Sequence, residues 1–318
     1  MKKISFLFIY ICFFLSWGFA QNFLSDSLTL HTQTGDIYGT LLLPSSDHPL
    51  PVALIIGGSG PTDRDGNQPT MKNNSLKMLA EALAKKGIAS LRFDKRGIAC
   101  SKAAMKEESD IRFENYISDV RDWVNLLSQD KRFSSVSMIG HSEGALIGMI
   151  ASGSNTQVAK FVSIAGAGVP MDEILKRQLS KLLENQPEVM KQKIFSYIDS
   201  LKQGKVISFV EPTLYTLFRP SVQPYLISIF RYNPQDEIRK LQIPVLIIQG
   251  STDIQVQVAD ADLLATANPK AREIIIENMN HVLKNCSSKE IVGQTPIYMN
   301  PELPINSQLI DEIANFLK

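Results

Sequence analysis

From about Gly35 onward the chain alternates two kinds of pattern. Short, almost wholly apolar runs occur at Val52–Ile56, Ile88–Phe93, Val136–Ile139, Lys160–Ala165, Val245–Gln249 and Glu273–Glu277. Runs of that length rich in branched residues, with no polar face, are expected for strands buried on both sides. Between them Leu76, Leu79, Ala80 and Leu83 recur at helical spacing, as do Phe113, Tyr116, Ile117, Val120, Val124 and Leu127. Such stripes predict helices packed onto a sheet. Ser27–Leu30 and Asp36–Leu43 read as a leading antiparallel pair, and Leu309–Leu317 as a closing helix. The pattern predicts an α/β fold with a mostly parallel sheet covered by helices.

One stretch breaks the alternation. Between Pro170 and Lys240 the chain is helix-like, with long polar spacers, prolines at 187, 212, 220, 224 and 234, and no run that reads as a buried strand. It is expected to be a helical cap, residues 170–240, inserted into a core formed by residues 21–169 and 241–318. Phe209, Tyr215, Phe218, Tyr225 and Phe230 are its candidates for lining a pocket, or else for packing the cap in place. The first twenty residues form a third pattern. Met1, Lys2 and Lys3 precede an apolar run from Ile4 to Phe14, and Gly18 and Ala20 are small residues spaced for cleavage. Residues 1–20 read as a secretory signal peptide cut after Ala20, since the run is shorter than a membrane span needs. Export to the periplasm or beyond is the expectation, with no membrane attachment after cleavage.

Composition narrows the function classes. The 318 residues carry a formal charge of +1, which becomes −1 once Lys2 and Lys3 are removed. With no basic field and no cluster of cations among aromatics, nucleic acid is not an expected partner. Of three cysteines, Cys12 leaves with the signal, and Cys100 and Cys286 are too few for a disulfide framework. One bridge between them, or two free thiols, remain the alternatives. The four histidines are scattered and neither cysteine has a ligand at metal spacing, so no metal or cofactor is expected.

The chemistry centres on Gly140-His141-Ser142-Glu143-Gly144, which follows a buried strand and opens a helix. That context turns a common pattern, Gly-x-Ser-x-Gly, into a nucleophile elbow presenting the Ser142 hydroxyl above the sheet edge. A serine at neutral pH needs a base. His31 and His48 lie in the leading ribbon, and His141 is too close along the chain to turn onto Ser142; His281, after the last strand, is the expected base. Its imidazole needs a carboxylate, and Asp253 follows the preceding strand in Gly250-Ser251-Thr252-Asp253. Asp260 and Asp262 are weaker candidates, placed on the solvated face of the next helix. The expected oxyanion donors are the backbone N–H groups of Glu143 and of Ser59, the latter in Gly57-Gly58-Ser59-Gly60. That glycine-rich loop lacks the Gly-Lys-Ser/Thr ending of a phosphate loop. Asp63, Arg64, Asp65, Asp94 and Arg96 read as charges that brace turns, with contact to a polar part of the substrate as the alternative.

Four motifs together, Gly58-Ser59-Gly60-Pro61-Thr62-Asp63-Arg64-Asp65-Gly66, Arg92-Phe93-Asp94-Lys95-Arg96-Gly97, the Ser142 elbow and the Asp253 turn, resemble the EstD-like bacterial carboxylesterases and the wider serine-aminopeptidase-like branch of the α/β-hydrolases. The resemblance runs from about Asp36 to the C-terminus. It implies esterase activity on short acyl chains, a small-molecule ester as substrate, a cap domain and no cofactor. Cys100 stands where many relatives carry glycine or a small or acidic residue. A peptidase or amidase on the same scaffold is the second reading, with Glu143 or Glu211 holding a substrate α-ammonium; a hydrolase-like binding protein without catalysis is the third.

Overall fold

The computed structural model describes residues 23–153 and 155–318. The signal-peptide reading of residues 1–20 lies outside them. Eight strands form one sheet in the order β1-β2-β4-β3-β5-β6-β7-β8. They are β1 Phe23–Thr32, β2 Gly35–Pro44, β3 Leu50–Ile56, β4 Ala89–Phe93, β5 Phe133–His141, β6 Val158–Ile164, β7 Val245–Gly250 and β8 Arg272–Ile276. β1 and β2 pair antiparallel, as does β2 with β4, and every pairing from β4 through β8 is parallel. The helices are α1 Ser75–Lys85, α2 Phe113–Ser128, α3 Glu143–Ser152, α4 Met171–Leu182, α5 Glu188–Lys202, α6 Tyr215–Phe218, α7 Gln223–Ile229, α8 Pro234–Arg239, α9 Val258–Ala267, α10 Ile291–Tyr298 and α11 Ser307–Leu317. This is an α/β-hydrolase fold.

Strand alternation explains the two cores. On β3, Val52, Leu54 and Ile56 face a cluster with Phe113, Trp123 and Val124 of α2, Leu146 and Met149 of α3, and Leu264 of α9. Ala53 and Ile55 face the other way, onto Leu76, Leu79 and Leu83 of α1 and Leu309, Ile313 and Leu317 of α11. A strand whose successive side chains enter different cores must be apolar throughout, which is why these runs show no polar face. The 170–240 segment folds into α4 to α8 between β6 and β7, with no strand among its described residues. Most of its prolines sit at element starts, with Pro187 capping α5 and Pro224 and Pro234 in the first turns of α7 and α8, where the missing N–H costs nothing, while Pro220 lies in the turn between α6 and α7.

Candidate active site

Parallel strands deliver their C-terminal loops to one edge of the sheet, where ligands bind in open α/β sheets. The loop after β3 holds Gly57 to Gly60, β5 ends at His141, and the turns after β7 and β8 hold Asp253 and His281. Ser142 sits between β5 and α3 with φ 55° and ψ −121°, a conformation unfavourable for a residue with a side chain. Its neighbours explain how the turn survives. A Cβ on Gly140 would lie 2.3 Å from the Gly144 carbonyl oxygen, and one on Gly144 would lie 2.3 Å from that of Ile56. Both positions demand glycine because the contacts are with rigid backbone. The Ser142 N–H donates to the Ile164 carbonyl at 2.9 Å, fixing the turn to β6.

His281 Nδ1 donates to Asp253 Oδ2 at 2.7 Å. A carboxylate partner at Nδ1 requires the proton there, which leaves Nε2 as the acceptor. Asp253 also accepts from the N–H groups of Gln255 and Val256 through Oδ1 and from Gln249 Nε2 through Oδ2. Burial works to raise its pKa, but the His281 charge and hydrogen bond with the two backbone donors outweigh it, holding the carboxyl below its ordinary value. Ser142 and His281 line one cavity of about 60 Å³ with Gly58, Ser59, Gln68 and Val282. His141 serves a different part. Its Nε2 donates to the His281 carbonyl at 2.8 Å, and the two rings lie 4.9 Å apart. Burial and the nearby His281 push the His141 pKa down to about 3, so it packs as a neutral ring.

The two expected oxyanion donors come from different elements, the loop after β3 and the start of α3. Glu143 is the first residue of α3, so its N–H is one of the donors a helix start leaves without an internal partner. Ser59 lines the Ser142 cavity directly. Behind them stands a side chain that the sequence analysis assigned no role. Lys95 Nζ, buried, donates to Glu143 Oε1 at 3.0 Å and to the Gly58 carbonyl at 2.5 Å, and lies over the Tyr116 ring at 5.2 Å. Tyr225 of α7 donates its hydroxyl to Glu143 Oε2 at 2.6 Å. A signal for this group was present in the sequence. The run after Glu143 is apolar on every face, which buries the helix and with it Glu143, and a buried carboxylate needs a cation.

A second cavity of about 260 Å³ lies beside the first: Gly60 and Glu143 line it, and their chain neighbours Ser59 and Ser142 line the first. Ile98, Met105, Ile111, Val222 and the rings of Tyr116 and Tyr225 form its apolar wall. Its charged side chains are paired: Lys95 with Glu143, Arg96 with Asp119, and Glu108 with Arg219. Of the five aromatics singled out in the inserted segment, Tyr225 lines this cavity. Phe218 and Phe230 are fully buried in the core, whereas Phe209 and Tyr215 are 73% and 51% exposed.

The remaining charges act as braces. Asp94 gathers the Arg64 N–H at 2.8 Å, the Arg64 guanidinium at 2.6 Å and the Cys100 N–H at 3.1 Å, and Asp65 pairs with Arg92. Asp63 Oδ1 closes the turn by accepting from the N–H groups of Asp65 and Asn67. Asp260 departs from expectation. It is not on a solvated face but fully buried, where it accepts from Arg177 of α4 and from the Gly168 and Gln257 N–H groups. The helix α9 face that carries it is covered by the inserted segment. Asp262 is exposed. Cys100 is exposed and Cys286 buried, and both are free thiols. No group of three metal-ligating side chains is found among the described residues.

A family model described as Hydrolase_4, serine aminopeptidase, S33, matches residues 72–285. The chain is 25% identical over 284 residues to the esterase EstD of Thermotoga maritima, covering 88% of this chain and 65% of that protein. It therefore spans a little under two thirds of this relative's length. Among solved structures it is similar to Est1E from Butyrivibrio proteoclasticus, with a TM-score of 0.58 and 14% identity over 92% of this chain and 95% of that one. It is also similar to the α/β hydrolase GrgF from Penicillium sp. sh18, with a TM-score of 0.60 and 16% identity over 93% and 98% of the two chains. At these identities the structural likeness speaks to the fold.

Proposed function

The chain belongs to the Hydrolase_4 family, serine aminopeptidase, S33, and on that premise we propose that it is a serine hydrolase cleaving carboxylic esters. The observation that carries the reading is the strained Ser142 turn sharing a cavity with a His281 whose free nitrogen is the one an Asp253 hydrogen bond leaves unprotonated. Ser142 Oγ bonds to the ester carbonyl carbon while His281 Nε2 takes its proton, and the carbonyl electrons move onto oxygen. Collapse of that adduct breaks the bond to the alcohol, which leaves with the proton from His281. Water then repeats the sequence on the acyl-enzyme, with Asp253 stabilising the imidazolium each time. Ser59 and Glu143 donate their N–H groups to the developing oxyanion.

The charges favour an ester over a substrate bearing an α-ammonium. An aminopeptidase needs a free carboxylate near the nucleophile, and Glu143 is already held by Lys95 and Tyr225. Glu108, on the cavity wall, is held by Arg219 and Ser221. Glu211, the other candidate, is held by Lys193 and Tyr197. Bringing an ammonium there means breaking a made pair. The Thermotoga relative is named an esterase, which supports the same choice. The cavity of about 60 Å³ over Ser142 suits a short acyl group, the apolar one of about 260 Å³ a larger uncharged alcohol part, and the inserted helices act as a cap that walls the latter through Val222 and Tyr225.

The test is initial rates on p-nitrophenyl esters of increasing acyl length, beside an amino-acid anilide, for wild type and Ser142→Ala. Turnover that peaks at short chains and falls at least about a thousandfold in Ser142→Ala is expected. Faster cleavage of the anilide overturns the ester reading, and unchanged activity in Ser142→Ala overturns the mechanism. Export is proposed on the pattern of residues 1–20; a mature protein beginning at Gln21 outside the cytoplasm is the expected result of N-terminal sequencing.

A further inference from the structure

The ammonium of Lys95 holds the two oxyanion donors in place from behind, and we propose that Lys95 is the positioning residue of the oxyanion hole. The proposal rests on the esterase reading above and deepens it. Its geometry starts with the peptide between Gly58 and Ser59. All described peptide bonds are trans, so the Gly58 carbonyl and the Ser59 N–H lie in one plane and point in opposite directions. Fixing the carbonyl therefore fixes the N–H. Lys95 Nζ binds that carbonyl at 2.5 Å. Ser59, at the other end of the peptide, lines the cavity that holds Ser142 and His281, whereas Lys95 lines the adjoining one. A Cβ built on Gly58 would lie 3.2 Å from the Ser142 Cβ, which puts this peptide directly against the nucleophile.

The second donor is tied to the same ammonium. Lys95 binds Glu143 Oε1, and the backbone N–H of Glu143 is the other donor. The two elements that supply the hole, the loop after β3 and the start of α3, are thus joined through one buried cation that does not line the cavity of the reacting serine. A cation on the Gly58 carbonyl also draws electron density from the amide, which makes the Ser59 N–H a stronger donor. From the far side Tyr225 binds Glu143 Oε2, so the inserted segment is the third element joined at this point. Loop position on this scale matters because donors must sit about 2.7–3.1 Å from where the oxyanion forms.

Removing Lys95 alone leaves Glu143 buried without its cation, so Lys95→Met is compared with Lys95→Met/Glu143→Gln, which removes both charges and keeps an amide for Tyr225 to bond. Thermal unfolding establishes that each variant is folded. For the double variant kcat on a short-chain p-nitrophenyl ester is expected to fall about 10- to 100-fold with KM within about threefold, less than loss of a donor itself costs. Inactivation by a fluorophosphonate, whose P=O oxygen occupies the same hole, is expected to slow in parallel. A folded double variant with kcat within about threefold of wild type, or with its loss entirely in KM, overturns the proposal. Absence of both ester turnover and Ser142 labelling in wild type overturns the esterase reading, and the role of Lys95 falls with it.

Discussion

The parallel sheet and the inserted segment share one apolar core but differ in how much they add to it from polar contacts. β3 from Val52, β5 from Val136 and all of β7 are buried, and their order comes from apolar side chains entering one core or the other. The inserted segment sends Ile194, Ile198, Leu201, Phe218, Ile229 and Phe230 into one of these cores, yet leaves Leu182, Val189, Val206 and Phe209 exposed by two thirds or more, and its helices are further tied by ion pairs: Asp172 to Lys202, Lys176 to Asp199, Lys193 to Glu211. Two further pairs bind it to the core, Arg177 to Asp260 and Arg219 to Glu108. The difference teaches where each region tolerates change. Close-packed backbone resists substitution, whereas the polar contacts that supplement packing in the inserted segment matter according to how buried each one is.

The sharpest test compares two glycines. Gly144→Ala places a Cβ against the Ile56 and Gly57 carbonyls at 2.3 and 2.7 Å, so β3 and α3 must separate. A loss on the order of 4 kcal/mol or more, read as a fall in urea midpoint or in soluble yield, is expected. Gly204, in the inserted segment, has φ +77° and nothing within 4 Å of a built Cβ. Gly204→Ala pays for backbone conformation alone, about 1 kcal/mol. Similar losses at both positions would break the contrast.

The next effect sits on the boundary. Arg177→Met leaves the Asp260 carboxylate fully buried with only backbone donors. Breaking a buried pair in this way costs about 3 kcal/mol, toward the low end because those N–H bonds persist. Faster proteolysis confined to the inserted segment would show that Arg177 docks it. Uniform destabilisation of the whole chain would show that segment and sheet unfold together.

How much of this was legible beforehand follows the same division. The parallel strands β3 to β7 could be read because a strand flanked by two cores has no choice but to be apolar, and chain order brings the loops of Ser142, Asp253 and His281 to one sheet edge; β8, expected to be buried on both faces, is instead an edge strand that buries only Ile276. Asp260 was misread because a helix face says nothing of what a distant insertion lays over it. Lys95 was missed because a lysine between Asp94 and Arg96 looks like one more loop charge; its meaning depends on Glu143, 48 residues away. The inserted segment resisted reading in detail because helices of four to seven residues, such as α6 to α8, carry too few turns to show a period.

Acid acts at the sheet edge through His141. The folded protein holds His141 at a pKa of about 3, against 6.5 for the free side chain, so the unfolded state binds the proton more tightly. Stability from this group is complete above about pH 6.5 and declines as pH falls toward 3, by up to about 1.4 kcal/mol per pH unit. Asp253, with its pKa lowered in the fold, adds a loss of the same sign below its ordinary value of 3.8. Urea midpoints measured at several pH values between 7 and 4 should fall in wild type and fall less steeply in His141→Phe. Parallel slopes would place the acid sensitivity elsewhere.

The smallest effect is expected at Lys193, which reaches Glu211 from α5 with nearly half of its side chain in water. An exposed pair gains little over hydration, loses side-chain freedom and is screened by salt, so Lys193→Ala is expected to cost under about 1 kcal/mol and less at high ionic strength. Glu211 keeps the Tyr197 hydroxyl, which limits the loss further. The comparison with Arg177→Met isolates burial as the variable, because both substitutions remove a cation from a carboxylate of the same segment or its docking face. A loss at Lys193 equal to that at Arg177 would mean that the ion pairs hold the inserted segment as one cooperative network rather than one by one, and urea midpoints of the two single variants and their double would measure that coupling.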